Sequence, residues 1–253
     1  MGRCFRNEGV DATHNPEFTS LEAYLPFSDY HDMRRIAEDA IKQAAVAVHG
    51  SAIALRPDAQ GNAVAVDISA PWPVVAVHDA VSRACRAEIT PETGAEALLD
   101  IAVAHGIAAP DGLPAGEIVV RLYEQLVEAA TGSPVFYIDF PVGDAPLARP
   151  HRVDPRLSER WDLVAFGMEI GTAYSELTDP IEQRARLTEQ SLRAAAGDVT
   201  AMDVDEEFLA ALELGMPPTG GLGLGVDRIV MMLTGATIRS VLTFPFVRPL
   251  RHP

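Results

Sequence analysis

The sequence predicts an α+β fold, one domain in which an antiparallel sheet is flanked by helices, and three observations predict it. Residues 135–141 (VFYIDFP) and 161–177 (WDLVAFGMEIGTAYSEL) are rich in aromatic and β-branched residues, the second run breaking near Gly167 as two strands with a turn. Residues 29–49 carry apolar side chains at helical spacing. The glycine-spaced GGLGLGVD runs directly into the apolar RIVMMLTG, a strand feeding a helix. No internal repeat, low-complexity tail or linker divides the 253 residues, so one domain is the economical reading.

The elements follow in chain order. GRCFRNEG and EFTSLEAYLPF read as two extended segments around the turn-like VDATHNP. The helix over 29–49 presents Met33, Ile36, Ala37, Ala40, Ile41, Ala44 and Val48 as its apolar stripe, and Gly50 is placed to end it. Residues 51–134 are chemically quieter and read as a mainly helical insertion that decorates the fold. AVAVDIS suits a strand, PWPVVAVHDAVSRAC a strand or turn entering a helix, and two helical stretches lie near 92–105 and 114–130. Asp179, Pro180 and Glu182 offer the capping residue, first-position proline and early acid of a helix. A further helix spans about 205–214 and stops at Gly215.

Composition excludes several classes. Hydrophobic residues are 48% and charged residues 22%, ordinary for a globular protein. A net charge of -16 repels nucleic acid in bulk, so an RNA substrate needs a local basic patch or another domain to hold it. Cys4 and Cys85 make neither a metal-ligand spacing nor a disulfide framework, which suits a reducing cytoplasm. No apolar run approaches a membrane span of about 20 residues. The start MGRCFRNEG lacks a signal-peptide core, so a cytoplasmic location is expected.

Three constellations carry polar chemistry. Arg3 and Arg6 are expected to share a face of the first strand, with Glu8, His14, Asn15, Glu17 and Glu22 around them. Guanidinium forks pair with phosphate or carboxylate, although the same charges would also line a solvated hairpin. Asp162, Glu169 and Glu176 recur every seven residues; converging carboxylates would hold magnesium, whereas separate ones are surface acids. Gly221, Gly223 and Gly225 do not make a dinucleotide fingerprint. Alternating glycines instead clear one face of a strand for a flat ligand, with Arg228 at the strand-to-helix junction.

Taken together, these segments resemble the catalytic core of class II aminoacyl-tRNA synthetases, specifically lysyl-tRNA synthetase. FRNEG with HNPEFTSLEAY is similar to motif 2 of that family, and GLGLGVDRIVMMLTGATIRSVLTFP is similar to its motif 3. DFPVGDAPLARPHR and GTAYSELTDPIEQRARL resemble the stretches between, and the likeness is looser over 51–134. The resemblance implies a class II antiparallel sheet and ATP-dependent activation of lysine to lysyl-adenylate, followed by transfer to tRNA(Lys). It implies that Arg6 and Arg228 are the catalytic residues and that ATP lies against Arg6, Glu8, His14, Asn15, Phe18, Gly225 and Arg228. Phe18 and Arg228 would clamp the adenine. Lysine would meet Glu22, Tyr24, Thr172, Tyr174 and Glu176, and Mg2+ would sit on Asp162 and Glu169. No nucleophilic side chain is required, because positioning and charge neutralisation carry such a reaction.

The pattern departs from the family in places. Thr172 stands where an asparagine is usual, and Asp162 is one methylene shorter than the usual glutamate. GTAYSELTDP is closer to the synthetase half of bifunctional lysylphosphatidylglycerol synthetases, which lysylate tRNA for a fused membrane lysyltransferase. The likeness begins inside motif 2, so an N-terminally truncated domain is expected, without the OB anticodon-binding domain. Motif 1, which builds the homodimer interface of the family, is expected to be absent as well. An impaired enzyme, a remnant that only binds ATP, and a paralogue that lysylates a protein remain alternatives.

Overall fold

A computed structural model describes residues 1–6, 9, 11, 13–57, 62–110, 112–195, 197 and 201–245. Seven strands form one sheet: β1 (Gly2–Phe5), β2 (Glu17–Pro26), β5 (Val74–Ala76), β6 (Val135–Pro141), β7 (Leu157–Ala165), β8 (Met168–Ser175) and β9 (Thr219–Gly225). Their order is β1-β2-β9-β8-β7-β6-β5, antiparallel except for the parallel pair β5–β6 at one edge. A separate hairpin joins β3 (Ile53–Pro57) to β4 (Ala63–Asp67).

Register assigns each side chain to a face, because directly opposed residues point the same way. One row runs Glu22–Gly223–Thr172–Asp162–Tyr137 across five strands. The row two residues along runs Tyr24–Gly221–Tyr174–Arg160. Between them Ala23, Leu222, Ala173 and Trp161 point to the opposite face.

That opposite face packs on helix α1 (Tyr30–His49). Asp29 caps it, accepting from the His31 and Asp32 backbone, while Asp32 accepts from the Asp29 N–H in return. Gly50, at a φ of 75°, ends it with a bond from its N–H to Val46 O. The buried stripe is Tyr30, Met33, Ala37, Ile41 and Ala45. Ile36, Ala40 and Val48, expected on the stripe, are exposed; the true face is rotated toward Tyr30 and Ala45. Trp161, fully buried, donates its indole N–H to Tyr30 O at 2.7 Å and meets Phe136 edge-on at 5.0 Å. Glu159, also fully buried, accepts two bonds from Arg152, which reaches Asp29 at the α1 cap.

Residues 51–134 do more than decorate. They supply strand β5, and Trp72, Ile68 and Ala54 enter the α1 core. Helices α2 (Val77–Cys85), α3 (Ala95–Ala104) and α4 (Ala115–Leu122), with a π-turn at Tyr123–Glu128, cover the other face around Tyr137, Phe140 and Val164. Helices α5 (Pro180–Ala195) and α6 (Glu206–Glu213) follow β8, and α7 (Val226–Thr234) and α8 (Ile238–Val241) follow β9. The first face is therefore closed by α1. The second is closed by helices over β6 and β7 and left open over β2, β9 and β8.

Candidate active site

The open half of that face is a cavity of about 560 Å³. Its floor is the glycine strand. A Cβ at Gly223 would meet nothing within 4 Å, so this position is bare to the cavity. A Cβ at Gly221 would stand 2.0 Å from Glu176 Oε1 and 2.8 Å from the Tyr24 ring, so glycine lets both side chains lie over the strand. Of the face expected to be cleared, Gly223 is bare, Gly221 lies under Glu176 and Tyr24, and Gly225 is in ordinary contact with Ile170 and Arg228.

At one end the cavity is lined by Arg6, His14, Asn15, Phe18, Gly225 and Arg228. The Arg6 guanidinium lies over the Phe18 ring, 5.2 Å from its centroid. Arg228 donates to Glu169 O at 2.6 Å and to His14 Nε2 at 3.1 Å. His14 Nδ1 is 2.8 Å from Asp11 Oδ2. Asn15 is buried, its amide donating to Glu17 O at 2.6 Å. Arg3 does not share this face: positions 3 and 6 differ by an odd number, so alternation separates them, and Arg3 pairs with Glu17 in the open. Glu8 lies outside the described residues.

The other end holds Glu22, Tyr24, Thr172, Tyr174 and Glu176, with Leu147 as an apolar wall. Thr172 donates its hydroxyl to Trp161 O at 3.0 Å. Burial pushes the Glu176 carboxyl up to about 7, and no side-chain cation pairs with it among the described residues. An unpaired carboxylate in a low-dielectric pocket holds its proton until a cation replaces it.

Between the ends stand the other carboxylates. Glu169 reaches the cavity, but Asp162 does not line it. Asp162 is 4% exposed and grips Arg160 through Nε at 3.0 Å and Nη2 at 2.8 Å. Arg160 also donates to Asp144 at 2.5 Å and lies 4.2 Å from the Phe140 ring centroid. Burial, then the Asp162 charge, raises the Glu169 carboxyl, against the pull of Arg160, Arg228 and Arg6. Burial and the charges of Glu169 and Asp162 push Glu128, on the π-turn, up to about 7. Among the described residues no three His, Cys, Asp or Glu side chains cluster closely enough to hold a metal unaided.

Sequence reasoning missed Arg160, Glu128 and Asp227, whose carboxylate accepts from Thr19 N–H at 2.7 Å and pins β2 to the start of α7. Arg160 and Asp162 at i and i+2 of one strand were a readable signal, obscured because the strand begins at Leu157.

The sheet is closed by helices on one face and open over a glycine strand on the other, with arginines at one end of the cavity and acids at the other. The chain belongs to the class II tRNA synthetases: a family model described as tRNA synthetases class II (D, K and N) matches residues 1–248. It is 57% identical over 249 residues to the lysylphosphatidylglycerol biosynthesis bifunctional protein LysX of Nocardia farcinica, covering 98% of this chain and 22% of that protein. The protein of the same name from Gordonia bronchialis is 55% identical, and that from Mycobacterium marinum 54%, each over 98% of this chain and 22% of the relative. The chain thus spans about a fifth of these relatives' length. No helix among the described residues is long and apolar enough to cross a membrane.

Proposed function

We propose that this chain activates lysine with ATP and passes the lysyl group to tRNA, acting as the catalytic part of a lysine–tRNA ligase. The observation that carries the reading is Glu176, a half-buried carboxyl with no cation beside it among the described residues, held up to about 7 at the far end of the cavity from Arg6 and Arg228. A substrate ammonium supplies the missing partner, and Glu22, on β2 at the far side of β9, lines the same cavity with a second carboxylate. Tyr24, Thr172 and Tyr174 bound the aliphatic stem.

ATP then lies toward Phe18, with Arg6 and Arg228 on its phosphates and ring. The lysine carboxylate oxygen bonds to the α-phosphorus as the bond to pyrophosphate breaks. A terminal ribose hydroxyl of tRNA next attacks the lysyl carbonyl and AMP leaves. Each step needs alignment and neutralised charge, which the arginines provide without a nucleophilic side chain.

Asp162 and Glu169 both offer hard oxygens to Mg2+; burial and then the Asp162 charge raise the Glu169 carboxyl, and Asp162 would have to share its oxygens between the ion and Arg160. When bound, the ion would neutralise phosphate charge. In the longer relatives, whose name joins lysine to phosphatidylglycerol, an activated lysyl ester is the donor that such lipid aminoacylation requires.

The test is lysine-dependent ATP–pyrophosphate exchange beside calorimetry. Glu176→Gln should cut lysine-dependent exchange roughly a hundredfold while leaving ATP affinity within about twofold. Arg6→Ala should abolish exchange. Equal losses of lysine and ATP binding in Glu176→Gln would exclude a lysine pocket.

A further inference from the structure

Contacts from the protein itself orient Arg228, and one chain of them runs through His14 to Asp11. We propose that Asp11 is a positioning residue for the nucleotide end of the site. Its carboxylate fixes His14 in the Nδ1–H tautomer, so that Nε2 accepts from Arg228 and holds that guanidinium at the cavity wall.

The tautomer follows from the donor inventory. A guanidinium only donates, so the His14 Nε2 that lies 3.1 Å from Arg228 Nη2 carries a lone pair. The ring proton of the neutral imidazole is then on Nδ1, which faces both Asp11 oxygens at 2.8 and 3.0 Å. Asp11 is itself held: its Oδ1 accepts from the Thr13 N–H at 2.7 Å, the His14 N–H at 2.8 Å and the Thr13 hydroxyl at 3.2 Å. Those backbone bonds, with the His14 contact, hold its carboxyl down to about 2, so it remains an acceptor throughout the neutral range. Arg228 has its second anchor on Glu169 O at 2.6 Å. The hairpin turn between β1 and β2 is thereby tied to α7 across the mouth of the cavity. The sequence resemblance gave His14 and Arg228 roles and gave Asp11 none.

The consequence for ligand binding rests on the ATP reading above. An arginine already aimed needs less ordering when nucleotide binds, so the Asp11 link should appear in nucleotide affinity and not in lysine affinity.

Asp11→Asn is the informative variant. Its Oδ1 still accepts from the Thr13 and His14 N–H groups, so the turn is retained. Its amide can donate to Nδ1, which moves the ring proton to Nε2 and sets two donors face to face at Arg228. In the 253-residue chain, 15N spectra of the imidazole, assigned by comparison with His14→Gln, should show Nδ1–H in the wild type and Nε2–H in Asp11→Asn. ATP affinity by calorimetry should fall roughly tenfold, the scale of one charge-assisted hydrogen bond, with lysine affinity within twofold. An Nε2–H wild type, an unshifted tautomer and unchanged ATP affinity in the variant, or a parallel loss of lysine binding would each overturn the proposal. A wild-type chain that binds no ATP sinks the nucleotide reading alone, and the tautomer pair then decides the Asp11 link.

Discussion

Glu176 makes lysine recognition depend on pH with a definite sign. Its folded-state carboxyl sits at about 7 against an ordinary 4.5. An ammonium beside it stabilises the ionised form, so binding below pH 7 must expel a proton. Lysine affinity should therefore strengthen as pH rises toward 7, by up to about tenfold per unit, and level off above. Calorimetry in two buffers of different ionisation enthalpy should register the released proton, and Glu176→Gln should abolish both effects. Stability runs the other way. The folded ligand-free chain holds a proton that the unfolded chain has lost, so this contribution is full below 4.5 and disappears as pH climbs to 7. It amounts to at most about 3 kcal/mol, and denaturation of Glu176→Gln should show a flatter profile in that window. The residue's position was legible in GTAYSELTDP, but its protonation was not. Burial by Leu147 and by strands β2 and β9 comes from segments far away in the chain, which no local pattern reports.

At the level of elements, strand β9 assigns opposite duties to its two faces. Gly223 opens on the cavity, whereas Gly171 of β8 faces inward, where a Cβ would stand 2.5 Å from both Gly223 O and a Leu224 methyl. Gly223→Val should therefore leave the melting temperature within a few degrees and block ligand binding. Gly171→Ala should cost about 1–3 kcal/mol by pressing two strands apart. Thermal melts beside ATP and lysine titrations separate the two; a Gly223→Val chain that still binds both ligands would contradict the assignment of the cavity floor. Strands β2, β6, β8 and β9, and α1 with its Gly50 stop, were readable because period and glycine punctuation agreed there, whereas β3 and the first residues of β7 carried no such pattern. The stripe of α1 was read one step off because Tyr30 and Ala45 are buried by the sheet's Trp161 side, a tertiary choice. The π-turn left no trace in a sequence that reads as ordinary helix, and with it went Glu128.

For the molecule as a whole, the stretch that looked dispensable is part of the scaffold. Leu122 and Ile118 are fully buried and pack in the cluster that includes Tyr137, Phe140 and Val164 of the main sheet. Leu122→Ala should cost about 2–5 kcal/mol in urea denaturation, as large a loss as a comparable change beside α1. A cost under 1 kcal/mol would make 51–134 the appendage that its quiet chemistry suggested. The layer of α2–α4 that touches β6 and β7 is part of the core.

The pairing of β2 with β9 has a consequence in time. Ser20 opposes Gly225, so neighbours in the sheet are separated by about two hundred residues of chain. Arg6 and Phe18 leave the ribosome roughly two hundred residues before Arg228, and the cavity between them has no floor until β9 docks. Closing so long a loop raises contact order and places this pairing among the slow, non-local events of folding. A nascent chain can bury α1 against β6–β8 while its ligand site is still two unconnected halves. The cavity is thus assembled only after β9 has been made, and a chain that stops short of β9 holds two halves of a site with nothing between them.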